Sequence, residues 1–195
     1  MTEKEKAALG LLYNNNYDKE LINERLDCQC KCHEYNLLLP REAAKRQKLI
    51  RDIVAEIGDG FQIEQPFHCD FGYNIHIGTN FFSNYNLVIL DEAPVIIGDY
   101  VFIAPDCGIY TAGHPINAMQ RDEGLEYAKP VKIGNHVWIG GGVKIMPGVT
   151  IGSNVVIGGG SVVTKDIPDG VVAVGNPCKV IRQIAEEDLA VGNEK

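Results

Sequence analysis

One histidine in this chain stands where it could move a proton. His114 lies in the run Thr-Ala-Gly-His-Pro, residues 111–115, where Gly113 permits close approach and Pro115 stiffens the chain that follows. An imidazole changes charge near neutral pH and is the side chain most often used as a general base. The cysteines offer a second kind of chemistry. Cys28, Cys30, Cys32 and His33 crowd together, and on a helix Cys28 and Cys32 share a face while Cys30 points elsewhere. Zinc takes four convergent ligands and no second cysteine pair lies nearby in sequence, so these read as free thiols and no metal is expected. Cys107 falls at an inward repeat position, where a thiol is inert rather than nucleophilic. His76 and His136 also lie in repeat frames and read as structural or surface residues.

The element that must position His114 is a short repeat. Six units of six residues follow without a gap over residues 133–168: IGNHVW, IGGGVK, IMPGVT, IGSNVV, IGGGSV and VTKDIP. A hexapeptide period predicts a parallel β-helix. Three units close one coil, so Ile133 stacks beneath Ile151, Ile139 beneath Ile157 and Ile145 beneath Val163, on rungs about 4.8 Å apart. Position one points inward and suits a β-branched side chain. Position five is the narrower inward site, and the glycine at position two supports the corner. The same frame starts at Ile97, Ile103 and Ile109, and earlier at Ile77, Ser83 and Ile89. The step from Ile77 to Ile97 is 20 residues, which predicts a small corner insertion over 91–94. From Ile109 to Ile133 is 24 residues, or four units, so the frame survives an excursion over 110–132 that contains His114. A long loop in register on both sides of a rigid scaffold is where function concentrates.

Around this core we expect a helical cap over residues 1–58, a β-helix over 59–176 whose repeats occupy 71–174, and a tail with a short helix over 177–195. Thr2 and Glu5 have capping-box spacing. A second helix should run from near Asp18 to Asn36. A third should run from Pro40 through Ile57, with Gly58 as its stop. Terminal coils need covering, which is the expected role of the cap. A net charge of −8 argues against nucleic acid or acidic membranes as the main partner. The start, MTEKEK, lacks the apolar core of a signal peptide, no run of 18 apolar residues exists, and six cysteines fit reduced thiols, so a cytoplasmic location is expected. Outward apolar residues (Val88, Phe102, Trp138, Val162) point to contact between coils and an oligomer.

The segments TAGHP, NHVWIGG, PGVTIG, PFHCDFGYNIHIG, FFSNYN, IAPD and GNPCKVIR, with the helical N-terminus, together resemble the maltose and galactoside O-acetyltransferases of the hexapeptide acyltransferase superfamily. The resemblance covers nearly the whole chain. It implies a left-handed coil, an exception to the usual crossover rule, and a homotrimer with active sites between neighbouring subunits. It implies direct acetyl transfer from acetyl-CoA to a sugar hydroxyl, with His114 as general base and the Gly141 backbone N–H holding the oxyanion. The family often has serine at that last position. By the same resemblance Asn84, Asp70, Glu92 and Arg25 contact the acceptor, and Gly159, Thr164, Lys165, Lys179 and Arg182 contact CoA. Around residues 14–17 this chain reads Asn-Asn-Asn-Tyr, one residue longer than some relatives.

Three other readings stay open in the sequence. One keeps the chemistry but changes the acceptor to an antibiotic, a serine or an oligosaccharide. One is a γ-type carbonic anhydrase, which needs three histidine ligands, although His114 and His136 lie 22 residues apart with no H-x4-H pair. The last is a non-catalytic solenoid.

Overall fold

Isoleucine or valine at most of the sixth positions builds three parallel sheets that meet at three corners. A computed structural model of the chain describes residues 1–190; the end of the expected tail, 191–195, lies outside the described residues. The first sheet carries Glu56–Ile57, Ile75–Ile77, Val95–Ile97, Val131–Ile133 and Thr150–Ile151. The second carries Gln62–Ile63, Phe82–Ser83, Phe102–Ile103, Val137–Ile139, Val155–Ile157 and Val171–Val174, and the third Phe67–Cys69, Leu87–Leu90, Gly108–Tyr110, Lys144–Ile145 and Val162–Val163. The stacked pairs are those the repeat frame dictates: Ile133 on Ile151, Ile139 on Ile157, Ile145 on Val163. Register also holds across the excursion, with Ile97 on Ile133 and Ile103 on Ile139. None of these side chains is more than 3% exposed, and each contributes about 1.5–3 kcal/mol by leaving water. At position five Cys107 is buried, as expected, and burial pushes its thiol up. Buried Ser161 is satisfied, donating to the Gly158 carbonyl and accepting the Gly175 N–H at 2.9 Å.

The repeat begins earlier than the sequence suggests. Ile57, Ile63 and Cys69 form a coil that stacks on Ile77, Ser83 and Ile89. A corner insertion over 70–74 separates the two and mirrors the expected one at 91–94. Asp91, fully buried, ties the insertions together: its carboxylate accepts the N–H groups of Asp70 at 3.1 Å and Phe71 at 2.9 Å. Burial pushes the Asp91 carboxyl up to about 7 against the opposing pull of those amides.

The cap has three helices. α1 (Glu3–Ala8) starts on the expected capping box of Thr2 and Glu5, and α2 (Lys19–Leu37) on Asp18, whose carboxylate accepts the Leu21 N–H at 3.0 Å. Leu21, Cys28, Cys32 and Tyr35 form the buried stripe of α2. α3 covers only Ala43–Ile53, shorter than the expected 40–57. Pro40 and Arg41 sit in a turn closed by the Glu42 N–H on Leu39 O, at 2.9 Å, and at the other end Val54 turns extended so that Glu56–Ile57 can join the first sheet. Gly58 is therefore a repeat glycine rather than a helix stop: a Cβ there would lie 2.7 Å from Thr79 N.

The tail also departs from expectation. Lys179–Gln183 is a strand, antiparallel to Val171–Val174, followed by a 3₁₀ turn at Glu186–Ala190. Folding back in this way covers the edge of the last second-sheet strand, whose backbone groups a helix would leave open. No helix among the described residues is long and apolar enough to cross a membrane.

Candidate active site

The excursion folds as a hairpin. Ala112–Gly113 pairs antiparallel with Leu125–Ala128, and the short helix α4 (Ala118–Asp122) forms its tip. The cap supplies a third strand, Tyr13–Asn14, which pairs with the outer edge of the hairpin, Tyr13 opposite Glu126. Two side chains reinforce this seam: Asn14 Nδ2 donates to Glu123 O at 3.0 Å and Asn16 Nδ2 to Gly124 O at 3.2 Å. The cap thus does more than cover the coil end, because it fixes the loop that carries His114.

His114 is half exposed. Its Nδ1 lies 3.3 Å from the Leu125 carbonyl oxygen. A carbonyl can only accept, so Nδ1 carries the proton and Nε2 is left as the basic nitrogen. Nε2 faces Glu126 Oε1 at 3.8 Å, a carboxylate only 6% exposed. Asn15 Nδ2 holds Glu126 Oε2, and Asn16 Nδ2 holds Oε1, both at 3.1 Å. Sequence reasoning missed Glu126. Its one signal was an acid alternating between Leu125 and Tyr127 in a strand, which places it on the inward face once the hairpin is known.

A cleft of about 350 Å³ opens at His114, lined also by Arg25, Asp70, Glu92, Glu126 and Asn15. Four predicted residues therefore meet here, each for a local reason. Arg25 projects from α2, Asp70 and Glu92 come from the two stacked corner insertions, and His114 comes from the hairpin. Burial, and after it the neighbouring Asp70 carboxylate, pushes the Glu92 carboxyl up to about 9. Its buried Oε2 has no hydrogen-bond partner among the described residues. Glu92 is therefore protonated at neutral pH and offers a hydroxyl donor beside acceptors and a guanidinium, a set suited to a polyol. The folded state keeps this proton to about pH 9, whereas an unperturbed carboxyl loses it near 4.5, so stability falls as pH rises through that window. Glu92→Gln should gain stability over the unsubstituted chain as pH rises from about 5 to about 9, and denaturant midpoints across that range measure it.

The other predicted residues lie elsewhere on the chain. Asn84, Gly141 and Gly159 occupy the corner between the second and third sheets, not the corner from which the hairpin emerges. Asn84 braces that corner: its N–H bonds Ile103 O and its Oδ1 accepts the Tyr85 N–H, both at 2.8 Å. The Gly141 N–H finds no acceptor among the described residues, and a Cβ at Gly141 would meet only Pro105 O, at 3.5 Å. Thr164 and Lys165 are exposed at the third-to-first corner, beyond the hairpin along the coil. Lys179 and Arg182 lie on the antiparallel tail strand, where Arg182 is engaged by both Asp188 carboxylate oxygens at 2.7 Å.

Comparison with known proteins agrees with this architecture. Residues 6–58 match the maltose acetyltransferase hexapeptide capping motif, and residues 130–165 match the bacterial transferase hexapeptide of six repeats. The galactoside O-acetyltransferase of Escherichia coli K12 is 46% identical over 188 residues, spanning 96% of this chain and 91% of its own. A maltose O-acetyltransferase structure from Clostridium difficile 630 matches with a TM-score of 0.93 at 53% identity, covering 95% of this chain and 99% of that one. The chain belongs to the maltose and galactoside O-acetyltransferase family. A galactoside acetyltransferase solved in complex with coenzyme A matches with a TM-score of 0.94 at 45% identity, covering 97% of this chain and 94% of that one. In this acetyltransferase the capping motif comprises the second half of α1, then the strand that pins the His114 hairpin, α2 and α3.

Proposed function

We propose that this acetyltransferase moves the acetyl group of acetyl-CoA directly to a sugar hydroxyl, with His114 as the general base. The observation that carries the reading is His114 Nδ1 set 3.3 Å from the Leu125 carbonyl oxygen, at the mouth of a cleft furnished with hydroxyl-binding groups. His114 Nε2 takes the hydroxyl proton as the sugar oxygen attacks the thioester carbonyl. Glu126, opposite Nε2, balances the charge gained by the ring. An unpaired backbone amide such as Gly141 N–H suits the oxyanion of the tetrahedral intermediate. The C–S bond then breaks, and the proton held by His114 passes to the departing thiolate. Asp70 and Arg25 orient the sugar, and Glu92 donates to one of its oxygens.

Among the described residues the His114 cleft is not lined by Gly141, and Asn84 stands with Gly141 at a different corner of the coil. This supports active sites shared between subunits of a homotrimer, in which a neighbour brings its Asn84, Gly141 and Gly159 corner to the His114 cleft. An apolar ladder on the outer face of the second sheet fits such packing: Phe102 and Trp138 pair in register and are 46% and 56% exposed. Thr164, Lys165 and Lys179 remain accessible to the CoA phosphates and pantetheine, whereas Arg182 must exchange Asp188 for a phosphate to join them.

The deciding experiment is thiol release from acetyl-CoA with maltose, glucose, a galactoside and chloramphenicol as acceptors. A sugar should raise release well above background hydrolysis, and a panel in which no sugar does so overturns the reading. Glu126→Gln should lower kcat about 10-fold or more while leaving KM for acetyl-CoA unchanged, since it removes charge only where the imidazolium forms.

A further inference from the structure

Cys28 and Cys32 are one helical turn apart on the buried face of α2, and Cys69 ends the coil strand beneath them. The Cys69 sulfur lies 3.5 Å from that of Cys28 and 3.7 Å from that of Cys32, and all three sulfurs fall within 4.8 Å of one another. Each side chain is buried, and Cys30, on the other side of the helix, is exposed. Sequence alone hides this group, because its third member lies 37 residues beyond Cys32.

The spacing has a chemical meaning. Zinc–sulfur bonds of about 2.3 Å in a tetrahedron place neighbouring sulfurs about 3.8 Å apart. Two of the three edges are already close to that value. A trigonal planar centre with the same bonds needs about 4.0 Å. We propose that Cys28, Cys32 and Cys69 bind one zinc ion as thiolates and so clamp α2 to the coil. Binding releases three protons to solvent and leaves three Zn–S bonds. The fourth position faces a cavity of about 480 Å³ that touches Cys32 and Cys69 together with His33 and His68, and water fills it from that side. The clamp is one step along the chain from two cleft residues: Arg25 is one turn before Cys28, and Asp70 follows Cys69. The site is independent of the acetyl-transfer chemistry.

The test uses the reduced full-length protein, loaded with zinc and dialysed. One zinc per chain is expected by elemental mass spectrometry, with three sulfurs at about 2.3 Å by X-ray absorption. Zinc in excess should raise the thermal midpoint by roughly 8 °C or more at about a thousandfold over Kd. Cobalt in its place should give a thiolate-to-metal charge-transfer band. Cys69→Ser should weaken zinc binding at least about 10-fold, and Cys30→Ser should leave it unchanged. If Cys69→Ser does not fold, the absorption spectrum of the unsubstituted protein decides alone. A shell of nitrogen and oxygen only, zinc lost on dialysis, or equal binding by a folded Cys69→Ser overturns the proposal.

Discussion

His114→Ala should lower kcat by about 10²- to 10⁴-fold, the usual worth of a positioned general base. The fold should survive, because the ring is half exposed and makes one hydrogen bond among the described residues, to the Leu125 carbonyl. The hairpin around it is held by other contacts, namely its own strand pairing, the Tyr13–Asn14 strand and the asparagine seam. His114→Asn separates position from basicity. Its amide can still donate to Leu125 O but has no nitrogen that accepts a proton, so it should lose as much as the alanine variant. Thiol-release rates at saturating acetyl-CoA and sugar, with circular dichroism as the check on folding, measure both. Asparagine retaining more than about a tenth of the activity would show that the ring does something other than take a proton.

The largest effect on stability should come from Ile139→Ala, at about 2–5 kcal/mol. Ile139 is 1% exposed and is stacked between Ile103 below and Ile157 above. The cost should fall in the upper part of that range, because the walls cannot collapse onto the cavity. Ladder bonds of 2.8–2.9 Å, Ala104 N–H to Ile139 O and Gly140 N–H to Ile157 O, fix the rungs on both sides. The same rungs carry Gly141, the proposed oxyanion donor, so kcat should fall as well. Ile116→Ala is the control: that side chain is 98% exposed at the hairpin tip, and its loss should cost less than about 0.5 kcal/mol. Denaturant unfolding of the two variants side by side measures the difference. Equal midpoints would remove the packed isoleucine column as the source of stability.

What could be read in the sequence was whatever repeats at short range. The period of six placed Ile133, Ile139 and Ile145 on their observed partners and marked the 110–132 stretch as foreign to the coil. The first coil escaped notice because cysteine stands where isoleucine is expected, at Cys69, and because the 70–74 insertion shifts the frame. Ile57 continued a helical pattern that in fact ends at Ile53, and only its pairing with Ile77 reveals it as a strand. The tail strand was hidden in the same way, since KVIRQ has no helical or strand preference strong enough to outweigh an open sheet edge. Motifs singled out His114, Asp70, Glu92 and Arg25, which line one cleft, but not the contacts that bring them together. Glu126 and the pairing of Asn15 with it span 111 residues of sequence, and no local pattern reports a contact at that range.

That seam sets an order of events during synthesis. At about 5–20 residues per second, Tyr13, Asn15 and Asn16 leave the ribosome on the order of 5–20 s before residues 124–126 exist to receive them. His114, the proposed base, is thus locked in place only after most of the solenoid has been laid down, so a nascent fragment lacking the hairpin should be inactive.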